Sequence, residues 1–585
     1  MTPRDISSPD PQQKAREAAE RLDSRLHAAG ARLSGGLSPV ALALAYTDWA
    51  LHLATQPAQA WRLAARAQAA GLQWLGETLG HAPPGNGDAR FAHPAWRRWP
   101  YAPVVHAYRA AEDWWNDASH LRGMSAHHAE MTRFFSRQWL DMLSPSNFGL
   151  ANPEVLERTR ERWGANLADG AAHALDAWRK QQGLPPLQPP EQQFRPGIEV
   201  ALTPGRVVHR NALVELIQYE PATPRVQAEP VFIVPSWIMK YYILDLSPHN
   251  SLVRWLVGQG HTVFILSWHN PDAADALLDL QDYLALGVFD PLAAIHRLLP
   301  RASVQACGYC LGGTLLAIAA AALARPGAID GAERLAPLAS ISLLAAETDF
   351  SEPGEMGVLI DESQVALLED MMAERGYLSG AQMAGSFGYL HSRELVWSQR
   401  LRAFWLGEPD QPNDLMAWNA DATRMPAAMH SEYLRRCYLR NEIAEGRFPV
   451  QGRPVSLSDI RLPMFVVGTE RDHVSPWKSV YKIHRLTDTE LCFVLTNGGH
   501  NAGIVSEPGH AGRRHAIATR TPDGPWQDPD EWQHGAERRD GSWWPSWQAW
   551  LLAHGSGKTV AARRPSAVPG LPAAPGDYVH QCHAD

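Results

Sequence analysis

Val304-Gln-Ala-Cys-Gly-Tyr-Cys310-Leu-Gly-Gly-Thr314 decides how the chain is read. Residues 304–307 have the character of a strand, and the Ala/Leu-rich run 311–323 has that of a helix. Gly308 and Gly312 stand two residues to either side of Cys310. This is a strand turning sharply into a helix, with a thiol at the corner where such elbows usually carry serine. The bend is so tight that a Cβ on either side would collide, and the nucleophile is forced into strained backbone. Three blander readings compete. Cys307-Gly-Tyr-Cys310 is formally a C-x-x-C pair, but a redox motif should open a small thioredoxin-like unit and a zinc site needs a second pair. Cys307 reads instead as a buried strand residue. A merely structural Cys310 leaves both glycines unexplained, so the nucleophile reading is preferred.

Working outward, strands are predicted at 213–218, 231–234 and 262–268, with a helix at 251–258, and again at 341–345, 464–468 and 491–495. Continuous apolar strands alternating with helices indicate a mostly parallel sheet covered on both faces. The fold class predicted is α/β, an α/β-hydrolase core. A long stretch rich in helix formers, Met and Trp, about 351–462, is predicted to be a helical cap that excludes water from the elbow.

Upstream, 13–80 has helical spacing and is broken by turn formers at 81–88. Tyr101, Tyr108 and Trp115 recur every seven residues on a helix predicted from 100 to about 143, a pattern of core or of a dimer seam. His127-His128 has no carboxylate or third ligand at metal spacing and reads as surface polar. Proline is dense over 184–204, which suits a connector. The expected domains are a mainly helical N-terminal one, 1–195, and a catalytic one, 196–585. The Pro/Ala-rich tail 565–575 reads as loosely ordered. Gly555-Ser-Gly-Lys-Thr559 resembles the end of a phosphate-binding loop, but Leu552 stands where that motif needs glycine and no strand precedes it, so the reading is excluded.

Composition sets further bounds. At 585 residues and 45% apolar content the chain can bury one large core and a second smaller one. Five scattered cysteines do not make a disulfide framework, so a reducing compartment, the cytoplasm, is expected. The first twenty residues lack an apolar core and the longest apolar run, around 314–324, is too short to span a bilayer. A net charge of −9 with no basic stripe argues against nonspecific nucleic-acid binding. The 23 tryptophans point to an apolar ligand or partner surface, although for most of them core packing is the simpler account.

A thiol at an elbow needs a base, and the base an orienting acid, in the chain order nucleophile, acid, histidine. Asp472 follows strand 464–468 in Gly468-Thr-Glu-Arg-Asp-His-Val-Ser-Pro-Trp477, and His500 follows the last predicted strand in Thr496-Asn-Gly-Gly-His-Asn-Ala-Gly503. His473 and His484 are the rival bases, ranked lower because neither lies beyond the last predicted strand, and Glu470 is the rival acid. An oxyanion hole is expected from the backbone N–H of Leu311 and of either Trp237 or Ile238, with the choice open. Cysteine has a chemical reason here. An acyl group taken from a thioester onto serine falls into a stable oxoester, whereas on cysteine it stays a thioester that an alcohol can attack downhill.

The sequence resembles the polyhydroxyalkanoate synthases, polyester polymerases, and is most similar to their single-subunit class I type. The resemblance runs over most of the chain, through Arg90-Phe-Ala-His-Pro-Ala-Trp96, Ser144-Pro-Ser-Asn-Phe148, Asn152-Pro-Glu154, Trp237-Ile-Met-Lys-Tyr-Tyr-Ile-Leu-Asp-Leu246, Gly260-His-Thr-Val-Phe264 with Ser267-Trp268 and Asn270-Pro271, Gly308-Tyr-Cys-Leu-Gly-Gly-Thr314, Trp418-Asn-Ala-Asp421, Asp472-His-Val-Ser-Pro-Trp477 and Gly541-Ser-Trp-Trp544. It implies an enzyme that joins (R)-3-hydroxyacyl units, 3-hydroxybutyryl foremost, from coenzyme A thioesters into an intracellular polyester, with no metal or bound redox cofactor. Cys310 would carry the growing chain, His500 would take its proton, and Asp472 would orient the histidine or help activate the incoming 3-hydroxyl. The resemblance also implies a homodimer on the granule surface, attached through its N-terminal region. Two stretches depart from the family pattern: Asn501-Ala-Gly-Ile-Val-Ser-Glu-Pro-Gly509 after the histidine, and Pro235-Ser236-Trp237 in place of Pro-Pro-Trp. The alternatives are a thioesterase or esterase on the same three residues, and a non-catalytic granule-binding paralogue.

Overall fold

The computed structural model describes residues 11–78, 88–182, 184–187, 192–383, 385, 392–408 and 412–582. They fall into two compact units: one takes the chain up to Gly36, Gln193–Met383 and everything from Asn413 on, the other Leu37–Gln192 and Ala384–Pro412.

The first unit is built on a ten-stranded sheet. In chain order its strands are β1 (Gly205–Arg210), β2 (Val214–Tyr219), β3 (Val231–Val234), β4 (Val263–Trp268), β5 (Val304–Tyr309), β6 (Leu338–Leu344), β7 (Met464–Thr469), β8 (Leu491–Thr496), β9 (Arg514–Arg520) and β10 (Glu537–Asp540). In space they lie β1-β2-β4-β3-β5-β6-β7-β8-β9-β10. The run from β4 to β8 is parallel throughout. Every residue of β3, β4, β5, β7 and β8 is buried, as strands sandwiched between helical layers must be. Antiparallel neighbours extend both edges, β2 and β1 on one side, β9 and β10 on the other.

Two sequence expectations change here. The sheet does not stop at 491–495, because β9 and β10 follow it. The tail is docked rather than loose: Val207 N–H donates to Pro572 O at 3.1 Å, and Ala574 N–H to Gly205 O at 2.9 Å. A proline-rich segment has carbonyls to offer and few N–H groups to satisfy, which suits it to cover an edge strand. Fully buried Glu215 then accepts the N–H groups of Asp577 and Tyr578, each at 3.0 Å from Oε2 for the shorter contact. The excluded loop reading at 555–559 is unaffected: Thr559–Ala561 pairs with Arg225–Gln227 as a small ribbon. Trp543, Trp544 and Trp547 are wholly core.

The second unit is helical, with helices Pro39–Thr55, Pro57–Thr78, Tyr101–Ala118, Ala126–Met142, Pro153–Glu161 and Ala165–Gln181. The single helix expected over 100–143 is two helices. Gly123, at φ +99°, breaks it, and Ser125 caps the second by accepting from His128 N–H. Tyr101 and Tyr108 pack around Phe91 and Trp96, whereas Trp115 faces Trp49 at 5.4 Å. His128 is not free of carboxylates: its Nδ1 lies 2.7 Å from Asp48 Oδ2. Beneath the aromatic cluster Arg90 contacts Asp88, Glu112 and Asp141 at 2.7–3.0 Å. The turn formers at 81–87 lie outside the described residues, as do 183 and 188–191 of the connector.

The units differ from the expected domains at two places. Helix Pro11–Leu33 packs with the first unit, Ser24 Oγ donating to Asp370 Oδ1 at 2.5 Å. Residues 392–408, inside the expected cap, pack with the second, Asn166 Nδ2 donating to Trp405 O at 2.8 Å. Among the described residues no helix is long and apolar enough to cross a membrane.

Candidate active site

Cys310 stands at φ 53°, ψ −127°, between β5 and helix Leu311–Ala324. Its own N–H reaches Leu344 O on β6 at 2.9 Å, while its carbonyl accepts from Gly313 N–H at 2.8 Å and Thr314 N–H at 3.2 Å. The backbone is therefore clamped from both sides in a conformation that costs a non-glycine residue about 1–3 kcal/mol. The glycines make the clamp sterically possible. A Cβ on Gly308 would lie 2.4 Å from Gly313 Cα, and one on Gly312 would lie 2.2 Å from Val234 O and 2.4 Å from Pro235 O. The second contact also shows that the loop leaving β3 rests on the first turn of the elbow helix.

Asp472 lies in the loop after β7. Its Oδ1 accepts from Val474 N–H at 3.0 Å and Ser475 N–H at 2.8 Å, and Oδ2 accepts from Thr469 Oγ at 3.0 Å. Oδ2 also meets His500 Nδ1 at 2.8 Å, with the Asp472 side chain fully buried. Engaging Nδ1 with the carboxylate leaves Nε2 for the thiol. Burial alone would lower the His500 pKa; the Asp472 carboxylate and hydrogen-bonded Cys310 outweigh it, and the net shift is well above the ordinary histidine value. The loop that carries His500 is folded back by Gly498, at φ +124°, and by Gly503, where a Cβ would strike Thr469 Cγ2 at 2.6 Å. Tyr309, beside Cys310, donates to Asn501 Oδ1 at 2.6 Å.

Cys310, Asp472 and His500 are thus brought together from three strand ends, 190 residues apart in the chain. Two of the rivals, Glu470 and His484, are engaged elsewhere. Glu470 pairs with Arg514 at 3.2 Å. His484 is buried against Tyr481, ring centroids 4.2 Å apart, and burial pulls its pKa down to about 3. Cys307 is buried in β5 and burial pushes its thiol pKa up. Leu311 is the first residue of the elbow helix. Trp237 and Ile238 lie in the loop after β3, the Trp237 ring buried among Trp268, Tyr283 and Tyr433. One residue of the site was missed: Glu347, just beyond β6, is 4% exposed and held well above the ordinary carboxylate range by burial. An acid directly after an apolar strand was its only sequence signal. Among the described residues no cluster of three or more His, Cys, Asp or Glu is disposed to hold a metal ion.

Sheet order and elbow define an α/β-hydrolase, and the family description "alpha/beta hydrolase fold" matches residues 229–507. Two further descriptions match upstream: "Poly-beta-hydroxybutyrate polymerase (PhaC) N-terminus" over 87–256 and "Poly-beta-hydroxybutyrate polymerase N terminal" over 17–59. The chain is 39% identical to a poly(3-hydroxyalkanoate) polymerase of Methylorubrum extorquens, over 84% of this chain and 80% of that one. It is 36% identical to a poly(3-hydroxyalkanoate) polymerase subunit of Rhizobium etli over 86% and 78%, and 35% identical to that of Cupriavidus necator over 84% and 83%. The chain belongs to the poly(3-hydroxyalkanoate) polymerase family.

Proposed function

We propose that the protein polymerises (R)-3-hydroxyacyl units, 3-hydroxybutyryl foremost, drawn from coenzyme A thioesters, with Cys310 carrying the acyl group. The observation that carries this reading is a cysteine elbow beside the Asp472–His500 pair in a member of this family. In the first step His500 takes the thiol proton, the Cys310 sulfur bonds to the thioester carbonyl carbon, the bond to the coenzyme A sulfur breaks, and the proton leaves on the coenzyme A thiol. In the second, the hydroxyl of a 3-hydroxyacyl unit gives its proton to His500 and attacks the acyl carbonyl. An ester forms, and Cys310 leaves with the proton. Asp472 orients the ring and supports the imidazolium. The N–H groups of Leu311 and of Trp237 or Ile238 are assigned to the oxyanion.

Thioester to ester is downhill, so the chemistry needs no cofactor beyond the coenzyme A ester itself, and no metal. The reading places the enzyme in the cytoplasm, as a homodimer on the polyester granule, with attachment through the helical N-terminal region. Supporting that attachment, two successive helices expose apolar side chains, among them Leu44 and Leu51 on one and Trp61, 77% exposed, Leu72 and Leu75 on the other.

The test is coenzyme A release by the purified protein from (R)-3-hydroxybutyryl-CoA, beside Cys310→Ala, with products separated by size. Insoluble polyester from the wild type and none from the variant is the expected result. Free 3-hydroxybutyrate would make the protein a thioesterase, and no release from this or longer donors would leave a non-catalytic granule protein.

A further inference from the structure

The strands that carry the site end side by side, and one of those ends holds a group the reaction leaves unused. Cys310 follows β5, Asp472 follows β7 and His500 follows β8; β6 runs between β5 and β7, parallel to both. Glu347 lies three residues past its end. Its backbone is tied to the elbow helix, the carbonyl accepting from Thr314 Oγ at 2.7 Å. A Cβ on Gly313 would lie 2.5 Å from Cβ of Ala346, the residue before it. Three residues on, Phe350 packs against Tyr433 and Tyr438, at centroid distances of 6.1 and 5.0 Å. The segment therefore spans from the elbow to an aromatic wall.

The side chain between these anchors is out of balance. It is 4% exposed, and no described residue gives its Oε1 a hydrogen-bond partner. The carboxyl is within electrostatic reach of Asp472, Cys310 and His500, and also of Tyr433 and Tyr438. Burial first, then the nearby Asp472 carboxylate, pushes its pKa well above the ordinary carboxylate range, which favours the protonated form. A neutral carboxylic acid is a hydrogen-bond donor, and a donor buried without an acceptor costs free energy that a leucine of similar volume would not. The other flank of the elbow repeats the pattern: Ser236 Oγ, in the loop after β3, is buried with no partner among the described residues. Polar groups left short of partners around a nucleophile are satisfied when a polar ligand arrives.

We propose that Glu347 is a substrate-binding residue whose O–H donates to the 3-hydroxyl oxygen of the acyl group entering at Cys310, so that the site selects 3-hydroxyacyl over unsubstituted acyl thioesters. The proposal rests on the acyl-transfer reading above. No bond is made or broken at Glu347.

The test compares the first-turnover burst of coenzyme A from (R)-3-hydroxybutyryl-CoA and from butyryl-CoA in wild type, Glu347→Leu and Glu347→Gln, with the Tm of each. The wild type is expected to prefer the hydroxylated donor. Glu347→Leu is expected to lose that preference by about tenfold, through the hydroxylated donor alone, with a Tm no lower than the wild type. Glu347→Gln, which keeps an N–H donor, should restore part of it. The proposal is overturned if Glu347→Leu keeps the preference, or if it slows both donors equally with a lower Tm, the mark of a structural role. If the wild type releases no coenzyme A from either donor, the acyl-transfer reading itself fails and this one falls with it.

Discussion

His500 is held by influences of opposite sign: its burial disfavours the imidazolium, and the Asp472 carboxylate 2.8 Å from Nδ1, with Cys310, favours it more strongly. Two consequences follow for pH. To accept the thiol proton His500 must be neutral, so the acidic limb of kcat/KM is expected above the ordinary histidine value of 6.5. Asp472→Asn removes the first of the favourable influences, and in its pH–rate profile the limb should move to lower pH with a depressed plateau; an unmoved limb would detach Asp472 from the base. The same shift acts on stability. A group whose pKa is raised on folding stabilises fully below its unfolded value and loses that contribution as pH rises through the folded one. The Tm difference between wild type and Asp472→Asn should therefore be largest below about pH 6.5 and shrink as the pH is raised.

At the scale of elements, the elbow depends on one close approach. Gly312 carries the first turn of helix Leu311–Ala324 against the backbone oxygens of Val234 and Pro235. Gly312→Ala puts a methyl group 2.2 Å from a carbonyl oxygen that is part of a strand end, and is expected to cost about 3 kcal/mol. Urea unfolding of the variant would measure it, and Gly557→Ala, where nothing lies within 4 Å but φ is +68°, gives the price of backbone strain alone. In the helical unit the Arg90 cluster is the corresponding anchor. Asp141, 3% exposed, is held by Arg90 and Arg393. Arg90→Met strips three carboxylates of a shared cation, and is expected to destabilise that unit by about 3–5 kcal/mol. Limited proteolysis within 37–182 should detect it first.

At the scale of the whole molecule, the last segment of the chain is part of the sheet's edge. Ending the chain at residue 564 uncovers β1 and leaves fully buried Glu215 without the N–H groups of Asp577 and Tyr578. Arg210 would remain as its partner. The truncated protein is expected to melt at a lower temperature and to aggregate through the exposed edge, which light scattering during a thermal ramp would show. Attachment belongs to this scale too. Replacing Leu51, Trp61 and Leu72 together by serine should weaken binding to polyester particles while leaving coenzyme A release from the soluble donor unchanged; undiminished binding would place attachment elsewhere.

The central strands and the elbow were legible because each is a local pattern: an apolar run, ended by glycine or by a residue with a chemical task. Cys310, Asp472 and His500 could be named for the same reason, and family membership rests on motifs of the same kind. β10 could not, since all four of its residues are exposed and charged, and only pairing with β9 makes it a strand. The helix break at Gly123 was overridden by the seven-residue spacing of Tyr101, Tyr108 and Trp115, whose side chains in fact face different neighbours. The tail has no pattern of its own, and its order comes from the N–H and C=O groups of β1. Glu347 looked like any acid after a strand until burial between the elbow and Tyr433 and Tyr438 pushed its pKa up. What the sequence determined by itself was backbone preference and local chemistry, which act over a few residues. What the tertiary structure decided was which polar groups lose water and which of them find partners, because both depend on residues far away in the chain.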